Sequence, residues 1–340
     1  MSKLLLFLLG AALGAALAPA AGCGTDAACK RFAGVALGTT YSIVACGGGG
    51  DTLQGEVEEL MRRVEKSLSI YDEESVISKV NRNEDAVLDS FFIECFEVAK
   101  EVSRHTGGAF DVSGAPLFAA WGFGANEHDT PPTQQQIDSL KLLCGMDKLA
   151  IVNNRLVKSD PRAQLNANAV AKGYTVDVVA RFLESKNVTG YLVEIGGEIR
   201  CGGAKPNGDK WAVGIDSPRD GNFTPGADLA GKVKMSDRAM ATSGNYRRFY
   251  MSSNKKIPHT INPATGYPVD NNMLSATVIA GSCAAADAYA TAFMVMGIDS
   301  AKAVLSRCSE MEGFLIFSEQ QQLKTYATPK LREWLITNNF

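Results

Sequence analysis

The chain has 340 residues, 46% hydrophobic and 21% charged, which excludes a disordered polymer and supplies enough apolar mass for a sizeable core. A net charge of -3, with no Lys/Arg cluster beyond pairs such as Arg62-Arg63 and Arg247-Arg248, lacks the positive field that nucleic-acid binding needs.

The N-terminus has the pattern of an export signal: Lys3, an apolar run from Leu4 to Ala18, then the small residues "APAAGC". The run is too short and too rich in Ala and Gly for a comfortable membrane span. The residues before Cys23 resemble a bacterial lipoprotein cleavage box, in which Cys23 is lipidated and becomes the mature terminus. Ordinary cleavage at "APA" or "AAG", giving a free soluble product, is the other reading. The expected organisation is a signal peptide over 1–22, a tether over 23–33 and one domain over 34–340, with no repeat or linker inside it. Eight cysteines are scattered without a C-x-x-C pair. Export permits disulfides, but Cys95, Cys144 and Cys308 lie in apolar, helix-like stretches, so most cysteines read as small buried hydrophobes.

In chain order, "GVALGTTYSIVAC" alternates as a strand that ends at the glycines 47–50. Leu53, Val57, Leu60, Met61, Val64 and Leu68 have helical spacing. A second helix, "ECFEVAKEVSRHTGG", stops at Gly107-Gly108, and a third opens with Thr133 and Gln136 in capping-box spacing. "KLAIVNNRLVKS" is a hairpin turning at Asn153-Asn154. The helix "NAVAKGYTVDVVARFLESKN" feeds "GYLVEIGGEIRCGG", a strand broken at paired glycines, and "DKWAVGIDSP" is a further strand. Residues 283–308 supply the closing helices. Irregular alternation of strands and helices predicts an α+β fold with mostly antiparallel sheets.

One helix poses a chemical question. "CAAADAYATAFMVMG" is almost wholly small and apolar, yet it holds Asp287. A bare carboxylate out of water costs several kcal/mol. Thr291, one turn on, projects from the same face, and a carboxylate with a hydroxyl and backbone carbonyls is the hard-oxygen set that suits Mg²⁺. A surface-facing Asp, or one satisfied by local backbone donors, remains the alternative. Other stretches carry weaker signals. His259 opens the rigid turn "HTINPATGYPVD" and is a candidate base or phosphate donor. "ATSGNYRRFY" suits an anion, Lys172 and Gly173 open a helix whose N-H groups favour phosphate, and "EIGGEIR" lets a ligand approach its glycines. Tyr71, Trp121 and Phe123 lie near glycines and can clasp a planar ring.

Taken in order, "LGTTYSI", "LSIYDEESVISKVNR", "GAFDVSGAPLFAAWGFG", "LNANAVAKGYTVD", "YLVEIGGEIRCGG", "ATSGNYRRFY", "HTINPATGYPVD" and "ADAYATA" resemble the ApbE family of FAD:protein FMN transferases. The resemblance implies a T-fold-related α+β domain. It further implies an enzyme on the periplasmic side of a bacterial inner membrane that splits FAD and joins FMN to a Ser or Thr of a membrane electron-transfer subunit, releasing AMP. By the same resemblance, Asp287, Thr291 and the carbonyl of Ala169 ligate Mg²⁺, and His259 stands by the reacting phosphate. Leu37, Tyr71, Trp121, Gly122, Phe123, Asn166, Lys172 and Ile261 line the FAD site. Many relatives carry Asp in place of Asn166 and Gly-Gly in place of Asn168-Ala169, and some carry a second Asp in place of Ala290, so the implied acidic set is smaller here. FAD hydrolysis by water, and flavin binding without turnover, are the rival readings.

Overall fold

The computed structural model describes residues 29–125, 127–219, 226–245, 249–252 and 255–338, so the signal segment, Cys23 and Arg247-Arg248 lie outside the described residues. The first strand expected from alternation is a hairpin, β1 (Cys29–Ala36) and β2 (Thr39–Cys46), turning at Leu37-Gly38 with φ of 51° and 68°. The tether over 23–33 is corrected: Cys29 onward is strand, and Cys29 is disulfide-bonded to its register partner Cys46. β1 pairs on one side only and stays mostly exposed, so its sequence keeps the polarity of a linker.

Helices α1 (Leu53–Leu68), α2 (Val76–Asn81) and α3 (Ser90–His105) follow. α3 begins four residues before the expected "ECFEV" because Asp89 caps it, accepting from the Phe92 N-H at 2.8 Å. α4 (Ala115–Ala120) is short, and α5 (Gln134–Lys141) has the expected Thr133/Gln136 capping box. The hairpin β3 (Leu149–Val152) and β4 (Arg155–Lys158) turns through Asn153 and Asn154 at φ of 51° and 55°. After α6 (Ala171–Ser185), the glycine-broken strand is two strands, β5 (Gly190–Ile195) and β6 (Glu198–Gly202), with Gly196 and Gly197 at positive φ between them. Then come β7 (Trp211–Asp216), β8 (Leu229–Met235), β9 (Arg238–Gly244), the hairpin β10 (Phe249–Ser252) and β11 (Lys255–Pro258), and β12 (Met273–Ala280). Helices α7 (Cys283–Met296) and α8 (Ile298–Arg307), strands β13 (Glu312–Glu319) and β14 (Gln322–Ala327), α9 (Pro329–Trp334) and β15 (Leu335–Asn338) complete the order.

The expected α+β class with antiparallel sheets is what the chain forms. Eight strands run β1-β2-β5-β6-β9-β12-β13-β14, every neighbouring pair antiparallel, and β15-β8-β7 form a second sheet. Both faces of the large sheet are covered, so its central strands read as continuous apolar runs rather than alternating ones. Ala276, Val278 and Leu315 face the helices, whereas Ile279, Phe314 and Ile316 pack with Trp211, Ile215 and Val233 of the small sheet. Among the described residues Cys95, Cys144, Cys201 and Cys283 are buried thiols, as expected for most cysteines, whereas Cys308 is only half-buried and Cys29 and Cys46 are bonded to each other.

Candidate active site

Helices α6 and α7 lie on the helix face of the large sheet and touch at Gly173. A Cβ there would stand 2.4 Å from the carbonyl oxygen of Cys283 and 2.8 Å from Cβ of Asp287, so a side chain at 173 would force the helices apart. The start of α7 is fixed twice. Ser282 Oγ accepts from the Ala285 N-H at 3.2 Å, and the Asp177 carboxylate accepts from the N-H groups of Cys283 and Ala284, each at 2.9 Å. Asp177 also pairs with Arg200 at 2.6 Å.

With α7 fixed, Asp287 and Thr291 face a cleft of about 770 Å³, a volume typical of small-molecule sites. Leu37, Tyr71, Phe123, Asn166 and Ala169 line the same cleft, together with Lys172, His259 and Ile261. Residues separated by more than 200 positions are thus gathered around one space. Trp121 and Gly122 precede Phe123 in the chain but do not line the cleft themselves. Trp121 is buried behind it, donating its indole N-H to the Gly266 carbonyl at 2.8 Å and lying 5.9 Å from the Tyr267 ring. Gly122 is a turn residue at φ 84°, where a Cβ would collide with the His128 carbonyl.

Asp287 is 3% exposed and its Oδ2 accepts one backbone N-H, from Gly173 at 3.1 Å. The surface-facing alternative is therefore excluded. Burial pushes its carboxyl up to about 7, against the pull of Lys172 and with a further push from Glu198. Lys172 pairs with Glu198 Oε1 at 2.5 Å. Burial alone would lower the lysine, but Glu198 and Asp287 outweigh it and raise its proton affinity, so the ammonium is held charged at the cleft wall.

The rest of the wall is hydrogen-bonded and partly aromatic. Phe123 packs 5.4 Å from the Tyr250 ring and 6.3 Å, edge-on, from His259. Tyr71, 57% exposed, stands at the mouth, and its hydroxyl accepts from Asn168 Nδ2 at 3.2 Å. Asn166 Oδ1 braces the backbone N-H of Asn168 at 2.9 Å. The Leu37 N-H donates to Glu65 Oε1 at 2.7 Å, which ties the β1-β2 turn to α1. In the loop after His259, Asn262 Oδ1 accepts from the N-H groups of Ala264 and Thr265, which gives the "INPATG" turn its fixed shape.

The donor set fits a hard divalent cation: a buried carboxylate with one donor, a hydroxyl on the same helix face and backbone oxygen nearby. Among the described residues no group of three or more His, Cys, Asp or Glu side chains gathers, so a thiolate or imidazole metal centre is not built there. Sequence reasoning missed Glu198 and Glu65, and took Ser243 only as one hydroxyl of the anion-suited stretch "ATSGNYRRFY". "EIGGEIR" drew attention to its glycines, whereas its last acid is the charged group in the wall. Ser243 Oγ lies 3.1 Å from Thr291 Oγ1.

An α+β fold whose antiparallel sheet and helices enclose a small-molecule cleft is the class of protein that this geometry defines. The ApbE family model matches residues 37–315, and the chain belongs to the ApbE family. A FAD:protein FMN transferase of Vibrio cholerae is 33% identical over 323 residues, covering 93% of this chain and 95% of the relative. The FAD:protein FMN transferase of Escherichia coli K12 is 29% identical over 84% of this chain and 82% of its own. Among solved structures, the flavin transferase ApbE from Vibrio cholerae superposes with a TM-score of 0.81 at 32% identity, covering 91% of this chain and all of that one. The apo form of Pseudomonas stutzeri flavinyl transferase ApbE gives 0.81 at 30% identity over 92% and 98%.

Proposed function

We propose that this chain is an FAD:protein FMN transferase that moves FMN from FAD onto a Ser or Thr hydroxyl of an acceptor protein. The acceptor oxygen forms a bond to the phosphorus on the FMN side, the bridging P–O bond breaks, and AMP leaves with the bridging oxygen. The hydroxyl proton passes to a base in the cleft. The observation that carries this reading is Asp287: a buried carboxylate with one backbone donor, facing a cleft together with Thr291 and a charged lysine.

Tyr71 and Phe123 offer ring faces to the isoalloxazine, and Asn166, Leu37 and Ile261 shape the nucleotide's path. Lys172 faces the phosphates with a fixed positive charge. His259, on the cleft wall beside Phe123, is the candidate to take the hydroxyl's proton. Asp287, Thr291 and the Ala169 carbonyl would hold Mg²⁺, which would neutralise pyrophosphate charge. The Cys29–Cys46 disulfide suits an oxidising compartment and so supports export; the lipid anchor at Cys23 and a membrane electron-transfer subunit as acceptor rest on the sequence resemblance alone.

Incubation with FAD, Mg²⁺ and a candidate acceptor tests the reading. Fluorescent flavin retained on the denatured acceptor, with AMP released in equal amount, is expected. AMP and free FMN with no labelled acceptor would make the protein an FAD pyrophosphatase, and no AMP at all would make it a flavin carrier.

A further inference from the structure

One buried acid in the cleft has no part in the reaction as described. Glu198 opens β6 directly after the Gly196-Gly197 turn, in register with Ile195, and its side chain is 5% exposed. Oε1 takes the Lys172 ammonium at 2.5 Å. Oε2 is fully buried and has no hydrogen-bond partner. A buried acceptor left bare costs about 1–3 kcal/mol, more when charged, so something absent from the protein itself is needed to satisfy it.

Glu198 lines the cleft, so the cleft is the open space from which a partner can reach this carboxylate. A phosphate oxygen only repels a carboxylate, so the partner is a donor or a cation. Asp287 lines the same cleft, and the Lys172 ammonium is bonded to Glu198 Oε1 rather than to Asp287. The cleft wall therefore holds two acids and one lysine that is already paired. Two carboxylates suit Mg²⁺, which retains several of its waters when bound.

Building on the cation site of the transferase reading, we propose that Glu198 is its second carboxylate. Oε2 accepts a hydrogen bond from the water shell of the divalent cation held by Asp287 and Thr291, while Oε1 keeps Lys172 away from Asp287. Outer-shell partners of this kind typically change metal affinity 10–100-fold when lost.

The test is a Mg²⁺ titration of the full chain without FAD, followed by thermal unfolding, on the wild type, Glu198→Gln and Lys172→Met/Glu198→Gln. The double variant removes both charges, so it keeps the test open where the single variant folds poorly. The midpoint Mg²⁺ concentration is expected to rise about tenfold or more in both variants. A wild-type midpoint in Glu198→Gln overturns the proposal. A wild-type midpoint in the double variant overturns it as well, because Glu198 would then act only by restraining Lys172. If the wild type transfers flavin and responds to Mg²⁺ but the variants match it, this proposal alone falls. If the wild type shows no Mg²⁺ response, the cation site falls with it.

Discussion

The contact between α6 and α7 has two ends, and each buries an aspartate. At one end Asp177, 2% exposed, has Arg200 and two N-H groups of α7. At the other, Asp287, 3% exposed, has one N-H, and the nearby lysine is paired to Glu198. Burial is the same and compensation is not. A fully partnered buried acid is part of the scaffold, whereas an under-partnered one beside a cleft marks the place where a ligand completes the structure.

The largest expected effect falls on the scaffold end. Asp177→Ala strands Arg200 and two backbone donors, and denaturant unfolding should show a loss of about 3–5 kcal/mol that Mg²⁺ does not repair. Equal stability would mean that the two ends do not differ in kind. At the cleft end, Asp287→Asn should lower flavin transfer at least 100-fold, about 2.7 kcal/mol of barrier. The same variant should unfold no more easily than the wild type in cation-free buffer, since it removes a poorly compensated charge. Between the ends, Gly173→Ala forces a methyl group against Cys283 and Asp287, and a stability loss of about 1–3 kcal/mol with a parallel loss of Mg²⁺ response would show that one contact sets both. The smallest effect belongs to Tyr71→Ala at the open mouth. Losing one ring face should raise the KM for FAD about 3–10-fold, leave kcat nearly unchanged and leave the melting temperature where it was.

Much of the local structure was legible from spacing. The Thr133/Gln136 capping box, the Asn153-Asn154 turn and the stripe Leu53, Val57, Leu60, Met61, Val64 and Leu68 depend on neighbours a few residues away, and the structure has all three. The shared face of Asp287 and Thr291 belongs to the same kind of inference, because helical geometry alone puts them together. β1 and the start of α3 were misread where the local signal is weak: an edge strand keeps polar residues, and a cap can precede the first apolar repeat.

Which acids are buried, and which partners they meet, depends on sheet order. Glu198 reaches Lys172 because β6 packs beside α6, and Asp177 reaches Cys283 and Ala284 across 106 and 107 positions. Trp121, chosen as a ring clasp for its type and neighbours, is held by the Gly266 carbonyl, a partner 145 positions away that spacing does not reveal. The sequence by itself determined the helices, turns and candidate chemistry, since those follow from short-range sterics and side-chain type. The tertiary structure alone decided the disulfide, the two unequal aspartates and the bare oxygen of Glu198, because desolvation and long-range pairing exist only after the chain has closed around them.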